Sequence, residues 1–394
     1  MHPILKPTLR RGWRDLNTVQ FGVAPAHARV LGPVDTATGS FLTLLDGTRG
    51  LPLLREEGSR MGLPDGHVDK LLHRLAQAGL LDDATGGGPA ADALRARTDV
   101  VDRLRPDLAA LSAVTPGPTD GIRKMAARRA TRVRVRGTGR VGAVVAAILS
   151  GAGIGQVDVM DGGCVEPWDI APGGLPADSV GQRRDAAARR TARHAAPGRP
   201  PRHPENRENR GGRGDTRGNK GERADGERPL SLVVLTPRDG LDAYAPAPSS
   251  AEPLVAAGTP HLYAGVIEGT GVVGPLVLPG STACAGCLAL NQTDHDPAWP
   301  RLLAQWHSGR QRHVPACDLA LSTTVAGLAA AHALAFLDGA EPAVAGVRWL
   351  TSTPGYQWRA HSTPAHRSCP CGASEQRKGE RTSVDREPHE TMAG

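Results

Sequence analysis

Large aromatic rings are scarce in this chain: aromatic residues make up 3% of it, with three Phe and three Tyr. The cores must therefore be built from Leu, Val and Ala, with fine-grained packing rather than a few large rings. Long apolar runs are missing too. The two best, Val141–Leu149 and Val325–Leu337, are too short or are broken by Gly327 and His332, which argues against a bilayer span. Met1–Leu16 is basic without an apolar centre, so no signal peptide is expected. Together these absences predict a cytoplasmic protein that does not enter a membrane. Cysteine is limited to six residues, four of them in two tight pairs. That usage fits metal ligation in a reducing compartment better than a disulfide framework.

What is abundant is Gly (49) and Pro (33), in a chain of 394 residues that is 39% hydrophobic. This is enough for two folded units joined by loose segments. The net charge of +7 with a pI near 9.4 comes largely from Arg scattered through polar segments. A solvated Arg-rich surface explains it better than a nucleic-acid partner.

The stretch Val133–Asp161 organises the chain. Val133-Arg134-Val135-Arg136 alternates and is β-branched, Gly137-Thr138-Gly139-Arg140-Val141-Gly142 follows, and Ala143–Leu149 is apolar at helical spacing. Val157-Asp158-Val159-Met160-Asp161 then reads as a second strand ending in an acid. The change of period from two to about 3.6 just past the glycines marks strand, turn and helix. Gly137 and Gly139 would let the backbone approach a phosphate, Gly142 would let the helix lie against its strand, and Asp161 sits where a ribose hydroxyl would. A structural βαβ turn without ligand is the plainer alternative.

Residues 1–83 predict a small unit. Val19, Phe21 and Val23 alternate and Arg29-Val30-Leu31 follows a turn, giving a two-stranded ribbon. Three short helices come next, the last with Val68, Leu71, Leu72 and Leu75 on one face. This is a winged-helix order, suited either to DNA or to a peptide that adds a strand beside Val19–Val23. The third helix carries His67, Asp69, Lys70, His73 and Arg74, a mixed charge that disfavours DNA. Residues 84–130 predict a helical connector with a kink at Pro106. Residues 197–229 and 373–394 are polar without apolar period and predict disorder, the first as an insertion inside one domain of 131–372.

Cys284-Ala285-Gly286-Cys287 and Cys369-Pro370-Cys371 are two chelating pairs. Brought together they would make a closed tetrahedral zinc site, structural rather than catalytic. The second pair is tight, so His366 or Cys317 could replace one ligand. Otherwise Cys164 and Cys317 read as buried thiols.

The glycine loop, Asp161, Val165, Gly181-Gln182-Arg183-Arg184, the strand to Leu235 followed by Asp239, the Gly265–Gly274 hairpin and the two Cys pairs occur in a telling order. The order resembles that of the ThiF/MoeB family of ubiquitin-activating-type adenylyltransferases, over about 132–372 without the insertion. The N-terminal unit resembles the peptide-recognition domain found before ThiF-like domains in maturation of azole-containing peptides. The expected fold is therefore α/β: a Rossmann-like, ThiF-type domain with a parallel-rich sheet, preceded by a small winged-helix α+β unit.

The resemblance implies ATP over Gly137, Gly139 and Gly142, its ribose on Asp161, magnesium at Asp239, and phosphate charge met by Arg184 and Arg140. It implies zinc on Cys284, Cys287, Cys369 and Cys371. The reaction implied is attack of a carboxylate, on a precursor peptide or small carrier protein, at the α-phosphate. A homodimer and a partner modifying enzyme are also implied. Some positions depart from the family. Arg140 replaces a glycine of the loop, Asp169-Ile170-Ala171-Pro172 stands where the family has Asn-Leu-x-Arg, Arg184 replaces Lys, and Gly240 replaces Asn. A degenerate ThiF domain that only presents a leader peptide to another enzyme is the alternative reading.

Overall fold

The structure, a computed structural model, describes residues 1–198, 229–308 and 315–374. The expected disordered insertion and tail lie, except for their end residues, outside the described residues. The chain divides into two compact units, Met1–Ala130 and Thr131–Gly394.

The first unit contains β1 (Pro3–Leu5), β2 (Arg11–Asp15), β3 (Thr18–Phe21), β4 (Arg29–Leu31), α1 (Thr36–Phe41), α2 (Leu51–Arg60), α3 (His67–Gln77) and β5 (Leu81–Asp83). Asp35 caps α1 by accepting the Thr38 amide at 2.7 Å, as a short polar side chain does at a helix start. On α3, Val68, Leu71, Leu72 and Leu75 are buried and meet Val19, Phe21, Phe41 and Leu54 in one core. The apolar stripe, not helix propensity, holds the helix in place.

The ribbon differs from expectation. It is a three-stranded antiparallel sheet in the order β2-β3-β4, so β3 is paired on both sides and has no free edge. The extra strand, Arg11–Asp15, is exposed along its whole length, and without a buried face it carries no alternation to be read. β1 and β5 form a separate antiparallel pair.

The connector residues form α4 (Pro89–Arg95), α5 (Thr98–Val114) and α6 (Asp120–Arg128), packed together through Leu94, Val100, Leu104, Leu111 and Met125. α5 continues through Pro106. The buried Lys6 ammonium donates to the Thr115 carbonyl at 2.5 Å, and Asp82 accepts from the Thr119 amide at 2.7 Å. These helices are thus tied to the β1–β5 pair.

The second unit contains β6 (Arg132–Arg136), α7 (Arg140–Gly151), β7 (Gln156–Met160), α8 (Arg184–Ala195), β8 (Leu232–Leu235), α9 (Gly240–Tyr244), α10 (Pro248–Ala256), β9 (His261–Ile267) and β10 (Thr270–Val277). It continues with α11 (Ala285–His295), α12 (Trp299–Ser308), α13 (Leu319–Leu337), β11 (Val347–Ser352) and β12 (Arg359–Ser362). Its seven-stranded sheet runs β12-β11-β10-β9-β8-β6-β7. The β7, β6, β8 and β9 neighbours are parallel and the β9, β10, β11 and β12 neighbours antiparallel. The Rossmann-like half therefore lies at the β7 side, as parallel strands joined by helical crossovers require.

Val133 and Val135 of β6 are fully buried beside Leu232, Val234, Leu262 and the apolar faces of α7, α8 and α13. Two of the alternating arginines of β6 are held across the strands by Asp158 of β7, Arg132 at 2.6 Å and Arg134 at 3.7 Å. α13 is 19 residues long, and by length and composition it is apolar enough to cross a membrane. Leu321, Val325, Ala326, Ala329, Ala330 and Ala333 bury one side of it in the core.

Candidate nucleotide site and cysteine cluster

The site begins at the turn from β6 into α7. Gly137 has φ +92°, and a Cβ there would lie 2.0 Å from the Thr236 carbonyl oxygen. A Cβ on Gly142 would lie 2.0 Å from the Gly137 oxygen. The Thr236 hydroxyl locks the arrangement by donating to that same oxygen at 2.8 Å. These two glycines are therefore needed to bring strand, turn and helix together. Gly139, which caps α7, is different: its nearest neighbour would be the Arg238 Cγ at 3.5 Å. It leaves an open floor before the first free N–H groups of α7, where an anion is favoured.

Asp161, at the end of β7, is fully engaged within the protein. Its Oδ2 accepts from the Thr138 amide at 2.5 Å and the Thr138 hydroxyl at 2.8 Å, and its Oδ1 accepts from Arg184 Nη1 at 3.0 Å. Arg184, the first residue of α8, is buried and donates to four groups. Besides Asp161 these are the carbonyls of Gly162 at 2.9 Å and Cys164 at 2.6 Å, and Asp169 at 3.2 Å.

Asp169 is the centre of a second set of contacts. It accepts Arg238 Nε at 2.8 Å and the Glu166 amide at 3.0 Å. Burial pushes its carboxyl above the ordinary range, and Arg184 opposes that rise. Arg238 also ion-pairs with Glu166 and stands over the Trp168 ring at 5.7 Å. Glu166, Trp168 and Arg238 were not singled out from sequence. Only the position of Arg238 beside Asp239 could have marked it.

Arg140 and Asp239 face cavities. Arg140 Nη1 donates to the Cys317 carbonyl at 2.7 Å, and its Nε is buried with no partner among the described residues. A cavity of about 330 Å³ is lined by Gly139, Arg140, Gly142, Asp169, Arg238 and Cys317. Asp239 caps α9 through Oδ1, which accepts the Leu241 amide at 3.0 Å. It also lines a larger cavity of about 1190 Å³ with Arg238, Tyr244, Trp299, Trp306 and Arg359. Trp168, Arg238, Val266 and Pro315 border both. Gly240 has a packing reason: a Cβ there would lie 1.9 Å from the Val266 oxygen of β9, so the family's Asn has no room.

The four cysteines of the two pairs come together, their sulfurs all within 4.8 Å of one another. Cys284 lies 3.6 Å from Cys369 and Cys287 lies 3.5 Å from Cys371. Four thiolates about 2.3 Å from a common ion have edges of roughly 3.8 Å, so the set fits tetrahedral zinc. The neighbouring thiol of Cys287 holds Cys284 well below the ordinary thiol range, while burial holds Cys369 above it. The cluster thus shares protons that a metal would displace. Neither substitute ligand joins the cluster: His366 adjoins it through its backbone, whose carbonyl accepts the Cys369 amide at 3.1 Å, but its ring pairs with Asp294 at 2.9 Å, and Cys317 borders the glycine turn.

The fold has relatives. No curated protein matches the sequence. Among solved structures, E. coli MccB with succinimide aligns with a TM-score of 0.64 at 14% identity, covering 94% of this chain and 99% of that one. MccB with ATP aligns at 0.63 and 15% identity, over 94% and 99%. PaaA aligns at 0.59 and 17%, over 90% and 98%. These likenesses extend through both units and establish the fold. The family model matches residues 117–210 and 233–373, which is more than half of the sequence, and on that match the chain belongs to the ThiF family.

Proposed function

We propose that this chain uses ATP to adenylate the carboxylate of a peptide. The observation that carries this reading is the contiguity of two cavities along Trp168, Arg238, Val266 and Pro315, one floored by the glycine turn and the other lined by Asp239. A nucleotide's phosphates over Gly139 would then meet a carboxylate entering from the larger cavity. Family membership supports the reading, as does the fact that MccB has been solved with ATP and with N-formylated MccA.

In the reaction a carboxylate oxygen attacks the α-phosphorus and the bond to the β-phosphate breaks, giving an acyl-adenylate and pyrophosphate. The demand on the protein is to hold the two reactants in line and to meet the charge that gathers on the leaving phosphates. Arg140 and the α7 N-terminus would do this. The cap on α9 leaves Asp239 Oδ2 as the atom that would hold magnesium, which supplies further neutralisation when bound. Zinc on Cys284, Cys287, Cys369 and Cys371 would close the end of the fold away from this chemistry. The N-terminal unit would hold the rest of the peptide.

One observation favours the second reading, a leader-peptide scaffold without turnover. Asp161 and Arg184, the residues expected at ribose and phosphate, are bonded to each other and to Thr138, Asp169 and backbone carbonyls. Pyrophosphate exchange into ATP, measured with and without a precursor peptide, separates the two. Exchange that depends on peptide supports adenylation, and ATP binding without exchange supports the scaffold.

A further inference from the structure

Arg140, Arg184 and Arg238 stand near the glycine turn, and they are not equivalent. Arg184 has 8% of its side chain exposed and four acceptors around it. Turning it toward a ligand would strand two carboxylates and two carbonyls at once, at a cost that one new contact does not offset. Arg140 is fixed at the start of α7 by the Cys317 carbonyl. Arg238 is 32% exposed at its side chain, and its outer nitrogen is bonded to Glu166, itself 40% exposed.

Resting on the adenylation reading, we infer that Arg238 is a phosphate-binding residue held in reserve by Glu166, exchanging that carboxylate for the phosphate chain of ATP. Its stem lies against the turn, with Cγ 3.5 Å from where a Cβ on Gly139 would stand. It borders both cavities, so its guanidinium stands where the two reactants meet. The exchange leaves no buried charge uncompensated. Asp169 keeps Arg184 at 3.2 Å and the Glu166 amide at 3.0 Å, and Glu166 has water. A polyphosphate carries more charge than a carboxylate and offers several acceptor oxygens, so it outcompetes Glu166 for a planar, forked donor.

The two sides of the pair then act with opposite sign. Removing the arginine weakens ATP, and removing its competitor tightens it. A brace that merely joins Glu166 to Asp169 gives neither result, since both substitutions would only loosen the loop.

Calorimetry with ATP and with adenosine on wild type, Arg238→Gln, Glu166→Gln and the double variant tests this. Arg238→Gln should weaken ATP by about tenfold to a hundredfold, the loss expected for a hydrogen bond to a charged group, and leave adenosine unchanged. Glu166→Gln should tighten ATP severalfold, and the double variant should match Arg238→Gln. Equal ATP-to-adenosine preference in wild type and Arg238→Gln overturns the assignment. So does weaker ATP binding by Glu166→Gln, a substitution whose amide oxygen can still accept the Asp169 amide in the cap that Glu166 makes with it. Wild type that binds no ATP contradicts the adenylation reading itself, and the assignment falls with it.

Discussion

Arg184 Nη1 lies 3.0 Å from Asp161 Oδ1, so two residues that sequence placed at opposite ends of a nucleotide are hydrogen-bonded to each other. Both are nearly buried, with 8% and 10% of their side chains exposed. Breaking such a pair from one side leaves a charge without compensation. Arg184→Ala should cost about 3–5 kcal/mol of stability, read as a lower urea midpoint with an unchanged slope. An unaltered midpoint would show that Arg184 is not a brace.

The glycine turn gives a graded series. Gly142→Ala puts a carbon 2.0 Å from the Gly137 oxygen and should cost about 3 kcal/mol or more, which makes it a poor probe of binding. Gly139→Ala meets nothing closer than 3.5 Å. It should change stability by less than about 1 kcal/mol while projecting a methyl into the small cavity and weakening ATP roughly tenfold. Thermal melting together with calorimetry on each variant checks the series. A Gly139→Ala protein that binds ATP as wild type does would move the phosphates away from this turn.

How far the sequence could be read depended on whether a signal was local. The βα turn at Gly137 was legible because strand period, glycines and helix period follow one another within Val133–Asp161. The cysteine set was legible from two tight spacings. β2 was not, because Arg11–Asp15 is exposed throughout and has no apolar alternation. The last strand, Arg359–Ser362, is exposed along its length like β2 and follows a turn in which Tyr356 takes φ +49°, so it too lacks an apolar alternation. The contact of Arg238 with Asp169 joins positions 69 residues apart, and no local pattern announces it.

The cysteine cluster should bind one zinc per chain, found by elemental analysis. Cys284→Ser or exhaustive chelation should lower the melting temperature by on the order of 10 °C, as loss of a closed structural site does. Nucleotide affinity should change far less, since none of the four cysteines borders either cavity. Metal-free protein with an unchanged melting temperature would contradict the assignment.

In the N-terminal unit the sheet leaves its edges at β2 and β4, because β3 is paired with both. Arg74 donates to the Gly32 carbonyl at 2.9 Å, which ties the amphipathic α3 to the end of β4 and sets the β4 edge apart from the one at β2. A precursor peptide should add there through backbone bonds. Lys70→Ala with His73→Ala should leave its affinity unchanged, and added salt should weaken it little. Gln20→Pro, at the centre of the sheet, should unfold the unit and not merely block an edge. Fluorescence anisotropy across a salt series reads this, and steeply salt-dependent duplex DNA binding lost in the double variant would be the contrary outcome.

The most direct measurement is exchange of labelled pyrophosphate into ATP in the presence of a co-encoded precursor peptide carrying either a free or an amidated C-terminus. Adenylation at the junction of the two cavities requires exchange with the free carboxylate and none with the amide. Folded protein that binds ATP and the free peptide yet gives no exchange would contradict it.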